Sequence, residues 1–136
     1  MKSEYTYLLD TNILAALARN PQGSVYRAIK ERGPETLCTS VIVAGEIEYG
    51  LRKKNAARLC RQMESILSHV PVLGLDPDVA QSYGRLRQNL ASRGLLIGPN
   101  DLWIAAHALV LGLTLVTANT IEFRRVASLR LADWSR

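Results

Sequence analysis

Cysteine is scarce in this 136-residue chain: Cys38 and Cys60 are the two, and no Cys-x-x-Cys or Cys/His cluster surrounds either. A disulfide framework and a structural zinc site are therefore excluded, and both residues are read as reduced thiols. Histidine is as rare, with only His69 and His107, and aromatics make up 6% of the chain with a single phenylalanine. His107 sits in Ala105-Ala106-His107-Ala108-Leu109 and is read as a helix histidine satisfied by its neighbours rather than as a ligand. No apolar run approaches the roughly 18 uncharged residues of a membrane span, and Met1-Lys2-Ser3-Glu4-Tyr5 lacks the apolar region of a secretory leader. A cytoplasmic protein is expected. Neither a Walker-type Gly-rich lysine loop nor Gly-x-Gly-x-x-Gly occurs, so nucleoside-triphosphate and dinucleotide binding lack support.

What the chain does have is apolar content and positive charge. At 48% hydrophobic residues, its length suits one compact domain spanning 1–136 with a real core. Seventeen Lys and Arg against twelve Asp and Glu leave a net charge of +5, which favours polyanionic partners. The surplus is grouped: Arg52, Lys53, Lys54, Arg58 and Arg61 in one stretch, Arg85, Arg87 and Arg93 in a second, Arg124 and Arg125 in a third. Each group is either a solvated helix face or a phosphate contact, and its position relative to the acidic residues decides which.

Punctuation along the sequence gives the fold class. Tyr5-Thr6-Tyr7-Leu8-Leu9 reads as a strand that ends at Asp10-Thr11-Asn12, a polar triplet suited to start the helix continued by Ile13 to Leu17. Asn20-Pro21 breaks that helix, Gln22 to Arg32 forms another, and Gly33-Pro34 precedes a second strand at Leu37 to Ser40. Ser40 caps a helix through about Lys54, and a further one runs from after Asn55 to Ser68. Val70 to Leu75 predicts a third strand, and Pro71 assigns it to a sheet edge. Helices follow from Pro77 to Gly94 and from Gly98 to Gly112, then a strand at Leu113 to Thr117, a short helix from Thr120 to Arg125 and a last strand at Leu129 to Leu131. Short apolar strands alternating with helices predict an α/β fold with a parallel sheet covered on both faces.

Oxygen-donor side chains stand beside apolar segments at four places. Asp10 follows the first strand, Glu46 lies within Val43-Ala44-Gly45-Glu46-Ile47, Asp101 opens a strongly apolar helix, and Asn119 closes Leu115-Val116-Thr117-Ala118. In open parallel sheets the working crevice lies beyond the carboxyl ends of strands, where Asp10 and Asn119 fall. Glu46 borders the buried face of its helix, whereas Glu48, rotated by about 200°, faces solvent. Glu122 shares a helix face with Asn119 and offers a further carboxylate. Taken singly, Asp10 is a helix cap, Asp101 a dipole complement, and Asn119 a turn residue. Together they point to carboxylates gathered where a hard divalent cation, Mg²⁺ or Mn²⁺, would offset their charge.

Four segments carry a resemblance: Leu8-Leu9-Asp10-Thr11-Asn12-Ile13-Leu14, Thr39 to Gly50 around Glu46, Ile97 to Ala108 around Asp101, and Leu115-Val116-Thr117-Ala118-Asn119-Thr120-Ile121-Glu122-Phe123. In this order they resemble the motifs of PIN-domain ribonucleases, and among these the VapC toxins of bacterial type II toxin-antitoxin modules. The resemblance implies a three-layer α/β/α fold with a central, mainly parallel sheet of four to five strands. It further implies a metal-dependent endoribonuclease in which Asp10, Glu46 and Asp101 hold Mg²⁺, with Mn²⁺ as a substitute. The fourth acidic position is a departure: many members have Asp where this chain has Asn119, and Glu122 stands nearby as the alternative. Thr11, Asn12 and Ser40 match the polar residues that support the carboxylates, and Arg52, Lys53, Arg124 and Arg125 are the candidate RNA contacts.

The resemblance also implies a VapB-like antitoxin, a homodimer and a higher toxin-antitoxin complex. The expected substrate is RNA, with tRNA preferred and the anticodon loop of initiator tRNA foremost, so that cutting inhibits translation. Hydrolysis of this type leaves a 5′-phosphate and a 3′-hydroxyl. A haloacid-dehalogenase-like phosphatase would need an Asp at position 12, where Asn12 stands. A receiver-like acidic pocket would need a lysine after the later strand, where none occurs. A catalytically silent scaffold that only binds RNA or protein would be signalled by loss of a core carboxylate, and none is lost.

Overall fold

The computed structural model describes residues 4–136; Met1 to Ser3, the start of the stretch read for a leader, lie outside the described residues. Five strands, β1 (Tyr7–Leu9), β2 (Leu37–Ser40), β3 (Val72–Leu73), β4 (Thr114–Val116) and β5 (Leu131–Ala132), form one sheet in the order β3-β2-β1-β4-β5. Every pairing is parallel, with Tyr7 opposite both Leu37 and Thr114. A parallel sheet is covered on both faces, so successive residues must all be apolar rather than alternate. β1 and β4 meet this demand, since Leu8, Leu9, Leu115 and Val116 are completely buried.

Among the described residues seven α-helices surround the sheet: α1 (Thr11–Arg19), α2 (Ser24–Arg32), α3 (Val41–Lys54), α4 (Ala57–Leu67), α5 (Pro77–Ser92), α6 (Pro99–Leu111) and α7 (Thr120–Phe123). Their ends follow the sequence signals. Asp10, Ser40 and Asp76 accept hydrogen bonds from the first free N–H groups of α1, α3 and α5. Asn55 and Gly112 adopt the left-handed conformation that closes α3 and α6. Right-handed crossovers from β1 to β2 to β3 place α1 to α4 on one face, where α1 packs against α2, α3 and α4. The return to β4 runs the other way and places α5 and α6, packed along one another, on the opposite face.

The core is filled by α6 as much as by the sheet. Ile104, Ala105, Ala106 and Ala108 are completely buried, and the small alanines allow the helix backbone to approach its neighbours closely. Phe123, the only phenylalanine, is also fully buried, a contribution of about 2–3 kcal/mol from apolar area alone. Trp134 closes the sheet's far side, packed edge-on against Tyr7 at 4.9 Å between ring centres with the Arg32 guanidinium 5.0 Å from its own. Cys38 and Cys60 are both free thiols.

Expected elements are present with several boundaries displaced: β1, β3 and β4 are shorter than the apolar runs that announced them, and α2 begins at Ser24 rather than Gln22. β3 is an edge strand, as Pro71 requires: it pairs only with β2, and the Pro71 carbonyl accepts the Thr39 N–H. The last strand is Leu131–Ala132 rather than Leu129 to Leu131, because Leu129 is held in a turn by its N–H bond to Val126 and pairing begins with the Arg130 carbonyl. Likewise α7 stops at Phe123, and Arg124 and Arg125 continue as turns.

Candidate active site

The chain adds β2 and β3 on one side of β1, then returns to place β4 on the other side. This reversal leaves a crevice above the carboxyl ends of β1 and β4, the usual ligand position in such sheets. Asp10 directly follows β1, and Thr117-Ala118-Asn119 directly follows β4. Ser40 at the end of β2 starts α3, which carries Glu46, and α6 presents Asp101 in its first turn.

Neutral donors hold Asp10, Glu46 and Glu122, whereas the side-chain hydrogen bond of Asp101 is with Glu122. Asp10, only 4% exposed, accepts from the Thr11 N–H at 2.8 Å, the Thr117 hydroxyl at 2.8 Å and Asn12 Nδ2 at 3.4 Å. Glu46 accepts from the Thr11 hydroxyl at 2.6 Å and from Asn100 Nδ2 at 3.3 Å. Asn119 donates through Nδ2 to Glu122 at 2.7 Å. Fully buried Thr117 is the hub, since its Oγ1 also accepts from Asn12 Nδ2 at 3.3 Å and the Asn119 N–H at 3.0 Å. Asn12 Oδ1 in turn accepts the Ala118 N–H at 2.9 Å, tying the two strand ends together.

These carboxylates feel one another. Burial, then the negative charges of Asp10, Glu122 and Glu46 together with a hydrogen bond to Glu122, push the Asp101 carboxyl up to about 7. Burial also raises Asp10, assisted by Glu46 and opposed by the donors from Thr117, Thr11 and Asn12. No Lys or Arg forms an ion pair with any of the four among the described residues. Like charges thus face each other at half-buried and buried positions without a cation from the protein itself. The donor set is carboxylate, hydroxyl and amide oxygen, which matches hard divalent cations and not zinc or copper. Among the described residues no three His, Cys, Asp or Glu side chains are arranged as a ready-made cage. Mg²⁺ does not need one, because it keeps several waters and takes one or two protein carboxylates.

Comparison with known proteins gives the family. The PIN domain family matches residues 7–129. Ribonuclease VapC2 of Haemophilus influenzae is 38% identical over 130 residues, spanning 94% of this chain and 97% of that protein. The tRNA(fMet)-specific endonuclease VapC of Shigella flexneri is also 38% identical, over 95% of this chain and 98% of its own. The chain belongs to the VapC family of PIN-domain ribonucleases. Among solved structures, VapBC2 of Rickettsia felis bound to a promoter DNA fragment superposes with a TM-score of 0.87 at 33% identity, covering 95% of this chain and 98% of that one. DNA-bound VapBC of Salmonella typhimurium gives 0.86 at 32% identity, over 96% and 98%.

Within this VapC-family chain the residues expected from the sequence meet unequally. Asp10, Glu46, Asp101 and Glu122 converge, and Asn119 orients Glu122 rather than facing the others as an equal. Thr11 and Asn12 contact the carboxylates directly, whereas Ser40 acts at the start of α3 and accepts from the Ile42 N–H. Arg52 is spent on Glu48 at 3.7 Å in the exposed last turn of α3, with Lys53 exposed beside it. Arg124 is exposed, and Arg125 reaches the Leu96 carbonyl at 2.9 Å.

Two contributors went unseen in the sequence, Thr117 and Asn100. Thr117 and Asn100 lie inside the quoted motifs, so adjacency to Asn119 and Asp101 was the available signal. His107 is buried, its Nδ1 2.9 Å from Ser40 Oγ, and its second nitrogen is held by the Gly74 backbone. Burial lowers its pKa, against the pull of Asp76 and the Gly74 hydrogen bond, which keeps the ring neutral. It is the satisfied helix histidine that the sequence suggested.

Proposed function

We propose that this chain is the toxin of a VapB-VapC-type pair and a Mg²⁺-dependent endoribonuclease that cuts tRNA, with the anticodon loop of initiator tRNA as the preferred target. One observation carries the reading: four carboxylates, Asp10, Glu46, Asp101 and Glu122, face one crevice, with Asp101 pushed up to about 7 by burial and then by the charges of the other three. Asp10, Asp101 and Glu46 would hold the cation, with Mn²⁺ as a substitute, and Glu122 is the adjoining acid. When bound, the cation supplies positive charge that lowers the pKa of a water to near neutrality and offsets charge on the phosphate.

The residues of the chain do the rest. Thr11 and Asn100 fix the Glu46 carboxylate, Thr117 and Asn12 fix Asp10, and Asn119 fixes Glu122, so that the acidic wall keeps its shape while the substrate phosphate approaches. Asp101, pushed up to about 7 in the metal-free site by burial and by the neighbouring carboxylates, would have to release its proton for the cation to be held there. No histidine is required, since His107 is buried away from solvent against Ser40. The shallow crevice suits a single-stranded loop better than an A-form duplex. The tRNA reading rests on the named specificity of the Shigella flexneri relative. An antitoxin partner rests on the VapBC structures, and assembly as a homodimer within a larger complex is part of the same proposal. Inhibition of translation and a cytoplasmic site of action follow from a tRNA substrate.

The test is to purify the chain without a partner and incubate it with total tRNA in Mg²⁺ or in EDTA, mapping the ends. Cleavage in Mg²⁺ alone, with 5′-phosphate and 3′-hydroxyl termini, is expected. Cleavage that persists in EDTA, or a 2′,3′-cyclic phosphate, overturns the reading.

A further inference from the structure

We propose that the groove running along α5 to the turn after α7 is a track for the RNA backbone that leads substrate into the acidic crevice; this rests on the ribonuclease reading above. The groove encloses about 610 Å³, and its lining includes Arg85, Asn89 and Arg93 from α5 together with Arg125. The sequence separates these arginines into two basic groups, and the packing of α5 along α6 brings both to one groove. Arg85, Asn89 and Arg93, the last closing the helix, lie on one i, i+4, i+8 row, so the backbone positions of the two arginines are spaced by about 12 Å along the helix axis, a span of more than one phosphate.

Three further observations assign the groove to a polyanion. None of the three guanidiniums forms an ion pair among the described residues. Arg93 donates to Asn89 Oδ1 at 3.0 Å and Arg125 to the Leu96 carbonyl at 2.9 Å, neutral acceptors that orient the side chains without cancelling their charge. The one acid in the lining is Asp78, in the first turn of α5. The groove also adjoins the crevice: the Arg125 N–H bonds the Glu122 carbonyl at 3.1 Å, so the inner arginine stands one turn from the outer carboxylate. By contrast, Arg52 is paired with Glu48, and Arg52, Lys53 and Lys54 complement the carboxyl end of α3, which accounts for their charge without RNA.

The experiment compares the partner-free chain with R85A/R93A/R125A and R85K/R93K/R125K, using total tRNA and a trinucleotide too short to reach from crevice to groove. Binding of labelled tRNA is followed by fluorescence anisotropy in EDTA across a salt series, and cleavage is followed in Mg²⁺. The alanine variant should bind tRNA about tenfold more weakly at 0.15 M salt and lose about 2 from the slope of log affinity against log salt, near 0.7 per phosphate contact. The lysine variant should recover the slope. The loss of cleavage should fall in KM and be at least fivefold smaller on the trinucleotide. An unchanged slope in the alanine variant overturns the proposal, as does an equal loss on the trinucleotide, or loss of self-association with unchanged tRNA binding. Failure of the wild-type chain to cut any RNA overturns the ribonuclease reading instead, while the anisotropy series still judges the groove.

Discussion

The crevice above β1 and β4 and the groove along α5 each gather charge of one sign, but they treat it oppositely. In the crevice the carboxylates are buried or half-buried, and Asp10, Glu46 and Glu122 are held by hydroxyl, amide or backbone donors that fix geometry without neutralising it. In the groove the guanidiniums lie near the surface and keep most of their donors free. Burial makes the first kind of cluster expensive and position-sensitive, whereas exposure makes the second cheap, tolerant and screened by salt. The pair fits a small hard cation at one end and a long polyanion at the other.

The largest expected effect lies in the crevice. Asp10→Asn or Asp101→Asn should lower the rate of tRNA cleavage by about 10³-fold, the scale of removing a group that stabilises charge at the reacting atoms. A residual rate within tenfold of the parent would break the assignment of the acidic cluster. Thr117→Val tests whether the neutral donors matter: it deprives Asp10 of a donor and leaves Asn12 Nδ2 and the Asn119 N–H short of an acceptor. A loss of about 10–100-fold in cleavage, with about 1–3 kcal/mol in stability by urea unfolding, is expected.

The third outcome concerns pH. The folded-state pKa of Asp101 is raised to about 7, so the stability linked to its proton is complete below about 4 and is lost as pH rises through 7. Because the group is half exposed, solvent screening reduces the gain, and Asp101→Asn should raise the metal-free melting temperature at pH 8 by about 3–8 °C with little change at pH 4. Calorimetry at both values checks this, and an equal shift at the two would break the claim of mutual repulsion. The smallest effect belongs to a control for the basic groove. Arg52→Ala with Lys53→Ala should change tRNA affinity less than about threefold, because an exposed pair such as Arg52 with Glu48 is worth under about 1 kcal/mol. A larger loss would move the RNA track from α5 to α3.

Much of this was legible in the sequence. Apolar runs ended by Asp10 and Ser40 announced strands feeding helices, because caps satisfy free N–H groups locally and need no distant partner. Pro71 marked an edge strand for a reason equally local, the missing donor. Glu46 rather than Glu48 followed from helix rotation alone, and the structure leaves Glu48 exposed. The order of the four motifs was enough to suggest the family. The end of α7 and the start of β5 were misjudged because Leu129 folds into a turn by bonding Val126, a choice set by sheet pairing.

Three juxtapositions came from the tertiary structure alone. Asn119 and Glu122 stood as alternatives in the sequence, and the structure shows Asn119 donating to Glu122 while Glu122 lies against Asp101. Thr117 became the hub because β1 and β4 are neighbours although their ends are more than a hundred residues apart. Arg85, Arg93 and Arg125 share a groove because α5 packs along α6. The sequence by itself determined which residues could bear charge and how each segment begins and ends, since those depend on covalent chemistry and short-range hydrogen bonding. Which charges meet depends on loop closure across the sheet, and that the fold decided.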